Sequence, residues 1–200
     1  MRPLLLLLAF SLTACVVPVG GGGGAGDPDP TPEPTPEPEY GPENQWFHAL
    51  AADVPEVGAT GRNVGDVAPN FTLTDQHGDE VELYQFWGKV VVLDVFAEWC
   101  GPCRNNAPHG EKLWEAGDGD VIMLAAMQDN VDYSPANAEG IARWVEDFSL
   151  THPVLADTQR VNLPFANGFP TYIVIDRDMT VANADLWPFD PQFVLDLAAQ

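Results

Sequence analysis

Cys100 and Cys103, in the run Trp99-Cys100-Gly101-Pro102-Cys103, are the residues of this 200-residue chain whose type and spacing could do chemistry. They follow an apolar run, Val90 to Phe96, and stand at the head of a predicted helix. Residues three apart in a helix share a face, so the two sulfurs can close a disulfide across the first turn. Free N–H groups and partial positive charge at a helix N-terminus lower the pKa of a leading thiol. Such a pair performs thiol–disulfide exchange, with Cys100 attacking and Cys103 resolving. A purely stabilising disulfide and one half of a zinc site are the other readings of the bare motif.

The chain has three cysteines, too few for a disulfide framework or for a second pair completing a four-cysteine zinc site. No metal is therefore expected, and no cofactor beyond a redox-active Cys100–Cys103 disulfide. Thirty acidic against eight basic residues give a formal charge of −22. That charge speaks against binding nucleic acid or bare anionic lipid. A hydrophobic fraction of 46% is enough for a core, and the length fits one domain with additions.

The third cysteine lies near the start. Met1-Arg2 and the apolar stretch Leu4 to Leu12 form a signal-peptide core too short to span a bilayer. Leu12-Thr13-Ala14-Cys15 resembles the lipobox of bacterial lipoproteins. The resemblance implies that residues 1–14 are removed and that Cys15 is lipidated, its acyl chains forming a stable membrane anchor. Val16 after it, rather than Asp, favours the outer membrane by the same resemblance. Residues 15–42 then form a linker, glycine-rich at Gly20 to Gly24 and carrying proline at alternate positions further on. Alternating proline forbids helix and sheet and favours an extended stalk, on the order of 40 Å at ~3.1 Å per residue. Residues 43–62 form an extension in which Gln45 to Ala52 could be a short helix anchored by Trp46 and Phe47.

Residues 63–200 must position the cysteines. Short alternating segments around Asp75 to Asp79 predict a β-hairpin, and Lys89 to Phe96 a strand buried on both faces. A helix from Gly101 to Ala116 and a second buried strand, Asp120 to Met127, follow. Ile141, Trp144, Val145 and Phe148 mark a helical face within Ala136 to Phe148. His152 to Leu155 is a short strand, and Thr171 to Ile175 with Thr180 to Ala184 a second hairpin. Pro191 to Ala199 is a closing helix capped by Asp190. The order ββ-βα-βα-β-ββα describes an α/β fold, a mixed central sheet flanked by helices on both faces.

Four separated motifs, Val67-Ala68-Pro69-Asn70-Phe71, Phe96 to Arg104, Ala107-Pro108 and Gly168 to Asp176, resemble the thioredoxin-like superfamily. The likeness is greatest to the redoxin branch of TlpA- and ResA-type thiol–disulfide oxidoreductases and covers Val64 to Ala199. It implies a thioredoxin-like fold and a cis-Pro170 opposite the cysteines. Phe169 would offer its backbone to an extended substrate, with Trp99, Gly101 and Pro102 completing the contact surface. It implies that Pro108 kinks the first helix, and that Asp94 is a buried general acid/base for Cys103. From the residues alone, Asp94 could instead face solvent at a sheet edge or pair with Lys89.

The chain departs from the family between Asp157 and Gly168, where Val161 to Asn167 contains Pro164 and is shortened. The Pro-x-x-x-Thr-x-x-Cys signature of peroxidases is absent before Cys100, and a copper-delivery CxxxC spacing is absent too. The four histidines, His48, His77, His109 and His152, have no ligand-like spacing. The expected function is exchange of the Cys100–Cys103 dithiol with protein disulfides in the envelope, in the reducing direction, facing periplasm or exterior. Partners would be thiol- or disulfide-containing envelope proteins and an upstream electron donor or acceptor. A thiol peroxidase and a surface-displayed binding module with a closed disulfide are the alternatives.

Overall fold

A computed structural model describes residues 37–200. Residues 1–36, on which the expected signal, the expected lipidation at Cys15 and most of the expected linker fall, lie outside the described residues. Seven strands form one sheet: β1 (Thr72–Asp75), β2 (Glu80–Glu82), β3 (Val90–Phe96), β4 (Val121–Met127), β5 (Val154–Ala156), β6 (Thr171–Ile175) and β7 (Val181–Asn183). Their order is β2-β1-β5-β4-β3-β6-β7. β3 and β4, Val-, Ile- and Leu-rich and buried on both faces, run parallel at its centre. β6 pairs antiparallel with the other side of β3, so Asp94 stands opposite Tyr172 and Val95 opposite Thr171.

Helix α1 (Gly101–Ala116) links β3 to β4, and α2 (Ala138–Phe148) links β4 to β5. Both steps go the same way across the sheet, so right-handed crossovers place both helices on one face. The packing agrees. Phe96, Ala125 and Met127 meet Cys103 and Ala107 of α1 and Ile141 and Trp144 of α2. On the same face Val90 and Val92 meet Leu113 of α1 and Val194 of α3 (Pro191–Ala198). Gly110 lets α1 approach β4, since a Cβ there would lie 3.0 Å from the Met123 methyl.

The mixed α/β class is therefore as expected, while helices on both faces are not found. The second face, Val91, Leu93 and Val95 with Ile122 and Leu124, is covered by Leu83, Tyr84, Phe86 and Phe165 from two single 3₁₀ turns. The amino-terminal segment completes this cover. It contains no helix over Gln45 to Ala52: Tyr40 N–H donates to Ala49 O at 2.9 Å, and Ala49 N–H to Gln85 O at 2.8 Å. Asn44 accepts from Trp46 N–H, a local bond that competes with helix formation. Trp46 is an anchor as expected, its indole donating to Asp75 at 2.7 Å. Phe47 is not buried: it stays 40% exposed under the Lys89 ammonium.

Candidate active site

β3 ends at Phe96, and four residues later Cys100 is the N-cap of α1. Its backbone is extended, and its sulfur accepts the Cys103 N–H at 3.1 Å. An N-cap acceptor satisfies one of the free donors of the first turn, so the sulfur sits where a helix favours negative charge. Cys100 and Cys103 form a disulfide with Cα atoms 5.2 Å apart. Only 3% and 2% of the two residues is exposed. Pro102 falls in the first turn, where its missing N–H costs nothing. Pro108 lies inside α1, and the helix there lacks the bond to the Arg104 carbonyl.

The peptide Phe169–Pro170 is cis and immediately precedes β6. Phe169 packs on the apolar cluster that holds both cysteines and meets the Trp99 ring edge-on at 5.8 Å. A groove of about 230 Å³ joins Pro102, between the cysteines, to Gly168, Phe169, Pro170 and Thr171, and continues to Asp185 and Trp187. Thr171 holds the bend before β6 by donating its hydroxyl to Gly168 O at 2.9 Å. Trp99, Pro102, Phe169 and Pro170 are thus brought together around the disulfide, and Gly101 stands exposed at the head of α1.

Asp94 is 7% exposed and points to the α1 face of the sheet, between Val92 and Phe96. It does not pair with Lys89, whose ammonium reaches Asp120 at 2.9 Å. Asp94 Oδ1 is buried without a hydrogen-bond partner. Loss of solvation pushes its carboxyl up to about 8, so near neutral pH it holds a proton. Tyr172 beside it is raised as well, first by burial and then by the Asp94 charge.

Several residues at the site were not singled out from the sequence. Glu98, 4% exposed, takes both Nε and Nη2 of Arg143 and the N–H of Val131. It ties the turn before Cys100 to the loop that carries Tyr133, whose ring stacks on Trp99 at 5.1 Å. A charged residue at the end of an apolar strand could have drawn attention to Glu98, as it did to Asp94. Tyr133 and Trp187 carry no such signal, because only the fold brings them here. The shortened stretch after β5 is braced by buried Asp157, which accepts from Gln128 Nε2, Val161 N–H and Asn162 N–H, each at 2.8 Å. Among the described residues no three His, Cys, Asp or Glu side chains converge as a metal site. His152 is buried, with Nδ1 3.2 Å from Pro153 O and Nε2 3.9 Å from Glu111.

The chain is similar to known proteins in sequence and in fold. The chain is 32% identical over 117 residues to the thiol-disulfide oxidoreductase ResA of Geobacillus thermodenitrificans, covering 58% of this chain and 64% of that one. It is 30% identical over 114 residues to the thioredoxin-like protein YneN of Bacillus subtilis, covering 56% and 65%. The match therefore spans a little under two thirds of the length of either relative. A crystal structure from Chlorobium tepidum, described as a thiol:disulfide interchange protein DsbE, superposes with a TM-score of 0.58 at 26% identity, over 70% of this chain and 97% of that one. The fold is thioredoxin-like, as the motifs implied. Residues 64–184, from the segment before β1 through β7, match the AhpC/TSA family, and the chain belongs to it.

Proposed function

We propose that the chain is a thiol–disulfide oxidoreductase acting on protein disulfides in the bacterial envelope, in the reducing direction. One observation carries it: the Cys100–Cys103 pair caps a helix N-terminus and lies beside the groove that Pro102 shares with Phe169 and Pro170. The names of the relatives, an oxidoreductase and an interchange protein, support the same reading. In the reduced protein, the Cys100 thiolate attacks one sulfur of a substrate disulfide. A Cys100–substrate bond forms, and the second substrate sulfur leaves as thiolate. Cys103 then attacks Cys100 Sγ, closing the intramolecular disulfide and releasing the first substrate sulfur. Two electrons pass from the protein dithiol to the substrate, and an upstream dithiol restores them.

In the second step the ionised form of Asp94, the minority form near neutral pH, accepts the Cys103 proton. Its place on the β3 face beneath α1, with an unpartnered oxygen and a carboxyl raised by burial to about 8, supports that role. Phe169 pairs its backbone with the substrate chain, and Trp99, Gly101 and Pro102 flank the reacting sulfur. Lipidation at Cys15 would tether the domain, on a Pro-rich stalk, to the outer membrane. No helix among the described residues is long and apolar enough to cross a membrane.

Insulin disulfide reduction with dithiothreitol tests the activity. Wild type should accelerate it and Cys100→Ser should not; equal rates overturn the proposal. A Cys15→Ala protein that still partitions with membranes would overturn the anchor.

A further inference from the structure

The groove beside the disulfide does not end at Pro170. The chain after β7 runs back along β6, with Leu186 N–H donating to Tyr172 O at 2.8 Å. Leu186 is buried, and Phe189 packs on the Tyr172 ring at 4.3 Å. Around Leu186 the backbone turns tightly, with Asp185 N–H held by Asn183 Oδ1 and Trp187 N–H by Asp185 O, each at 2.9 Å. Asp185 and Trp187 are therefore presented on a braced turn, and both line the groove. Trp187 keeps 55% of its surface exposed although Leu186 before it is buried.

Among the described residues, the Asp185 carboxylate forms no ion pair, and no Lys or Arg lines the groove. An open carboxylate next to an exposed indole is a receptor for a cationic side chain: the ring face attracts the cation and the carboxylate pairs with it.

We infer that Asp185 and Trp187 select substrates carrying Lys or Arg one or two residues from the reacting cysteine. The inference rests on the oxidoreductase reading and names its substrate class. Pro102 and Trp187 line the same groove, so a chain bonded to Cys100 and paired along Phe169 carries the residues next to its cysteine, ~3.3 Å apart in an extended peptide, into that groove. A Lys or Arg side chain then lies over Trp187 with its charge at Asp185. A Glu at that place meets the uncompensated carboxylate. The formal charge of −22 acts on every basic substrate alike, whereas this contact acts at one position of the peptide.

The test uses two disulfide peptides identical except for Lys or Glu beside one cysteine, with the full-length protein at low ionic strength. Wild type should reduce the Lys peptide with about tenfold higher kcat/KM, the sum of an exposed cation–π contact and an exposed ion pair. The difference should lie in KM. Asp185→Asn and Trp187→Leu should each cut the preference to about threefold. Asp118→Asn removes the same charge at the other end of α1 and should leave the preference intact. Asp118→Asn should reduce hydroxyethyl disulfide at the wild-type rate, and Asp185→Asn and Trp187→Leu should lose less on it than on the Lys peptide.

Equal use of both peptides by wild type overturns the inference. So does a ratio in Asp185→Asn no lower than in Asp118→Asn, or a loss of hydroxyethyl disulfide reduction by Asp185→Asn as large as its loss on the Lys peptide, which marks a structural role. Reduction of neither peptide by wild type overturns the oxidoreductase reading instead, and the inference with it.

Discussion

Glu98 and Arg143 meet in a two-pronged ion pair, Nε to Oε1 at 3.0 Å and Nη2 to Oε2 at 2.9 Å, two residues before Cys100. The carboxylate is buried and also accepts Val131 N–H at 2.8 Å, while the arginine side chain is about half exposed. Glu98→Ala therefore leaves the Val131 N–H and the Arg143 guanidinium without their buried partner and frees the loop that carries Tyr133. It should cost ~2–3 kcal/mol in urea unfolding and change Trp99 emission as the Tyr133 stack opens. Glu98→Gln keeps the acceptor for Val131 and should cost about 1 kcal/mol less.

Asp94 makes folding pH-dependent in a direction opposite to that of a paired carboxylate. Its carboxyl stands at about 8 in the folded protein, against ~3.9 in an unfolded chain. Between these values the native state binds a proton that the unfolded state has lost, so stability falls as pH rises and levels off above about 8. Denaturant unfolding of the oxidised protein should show a loss of as much as about 4 kcal/mol from pH 5 to pH 8. Asp94→Asn should remove that slope and be more stable than wild type at pH 8.

His152 produces the converse gradient. Burial holds its imidazole below the usual range, against smaller opposing contributions from the Pro153 carbonyl and Glu111. Below pH ~6.5 the unfolded chain binds a proton that the native ring refuses, so stability falls on acidification by up to about 1.4 kcal/mol per pH unit. Because Asp94 runs the other way, the comparison is between wild type and His152→Gln over pH 5 to 6.5. The variant should gain relative to wild type as the pH drops.

Asp190 caps α3, accepting from Gln192 N–H at 3.0 Å and Phe193 N–H at 3.3 Å. Asp190→Ala should lower thermal stability by about 1 kcal/mol and leave the active-site groove unchanged. Calorimetry of the oxidised protein measures the loss.

Local patterns carried much of this structure in plain view. The apolar runs of β3 and β4 and the 3–1–3 spacing of Ile141, Trp144, Val145 and Phe148 correspond to elements found within a residue or two. Cys100, Cys103, Asp94 and Pro170 were legible because each breaks or punctuates such a pattern. The covering of the second sheet face was not. It is made by single turns and by an extended segment, held through Asn44, Gln85 and Ala49, whose partners lie 36 to 41 positions away. No periodicity encodes bonds of that range. Asp185, Trp187 and Tyr133 were silent for the same reason: each is ordinary in its own stretch and acquires meaning only from the neighbours that the sheet gives it.

The near-complete burial of Cys100 and Cys103 bears on traffic with the surrounding medium. Thiol–disulfide exchange needs a sulfur to arrive along the S–S axis, and here both sulfurs are buried in a cluster on which Phe169 packs, edge-on to Trp99. A freely tumbling small thiol has no backbone to lay beside Phe169 and nothing to hold it there while it attacks. A protein strand has both. The two classes of reductant are thereby separated by rate rather than by equilibrium. Such a centre exchanges slowly with small thiols, so that an excess such as dithiothreitol is needed to drive it, and faster with partners that can dock.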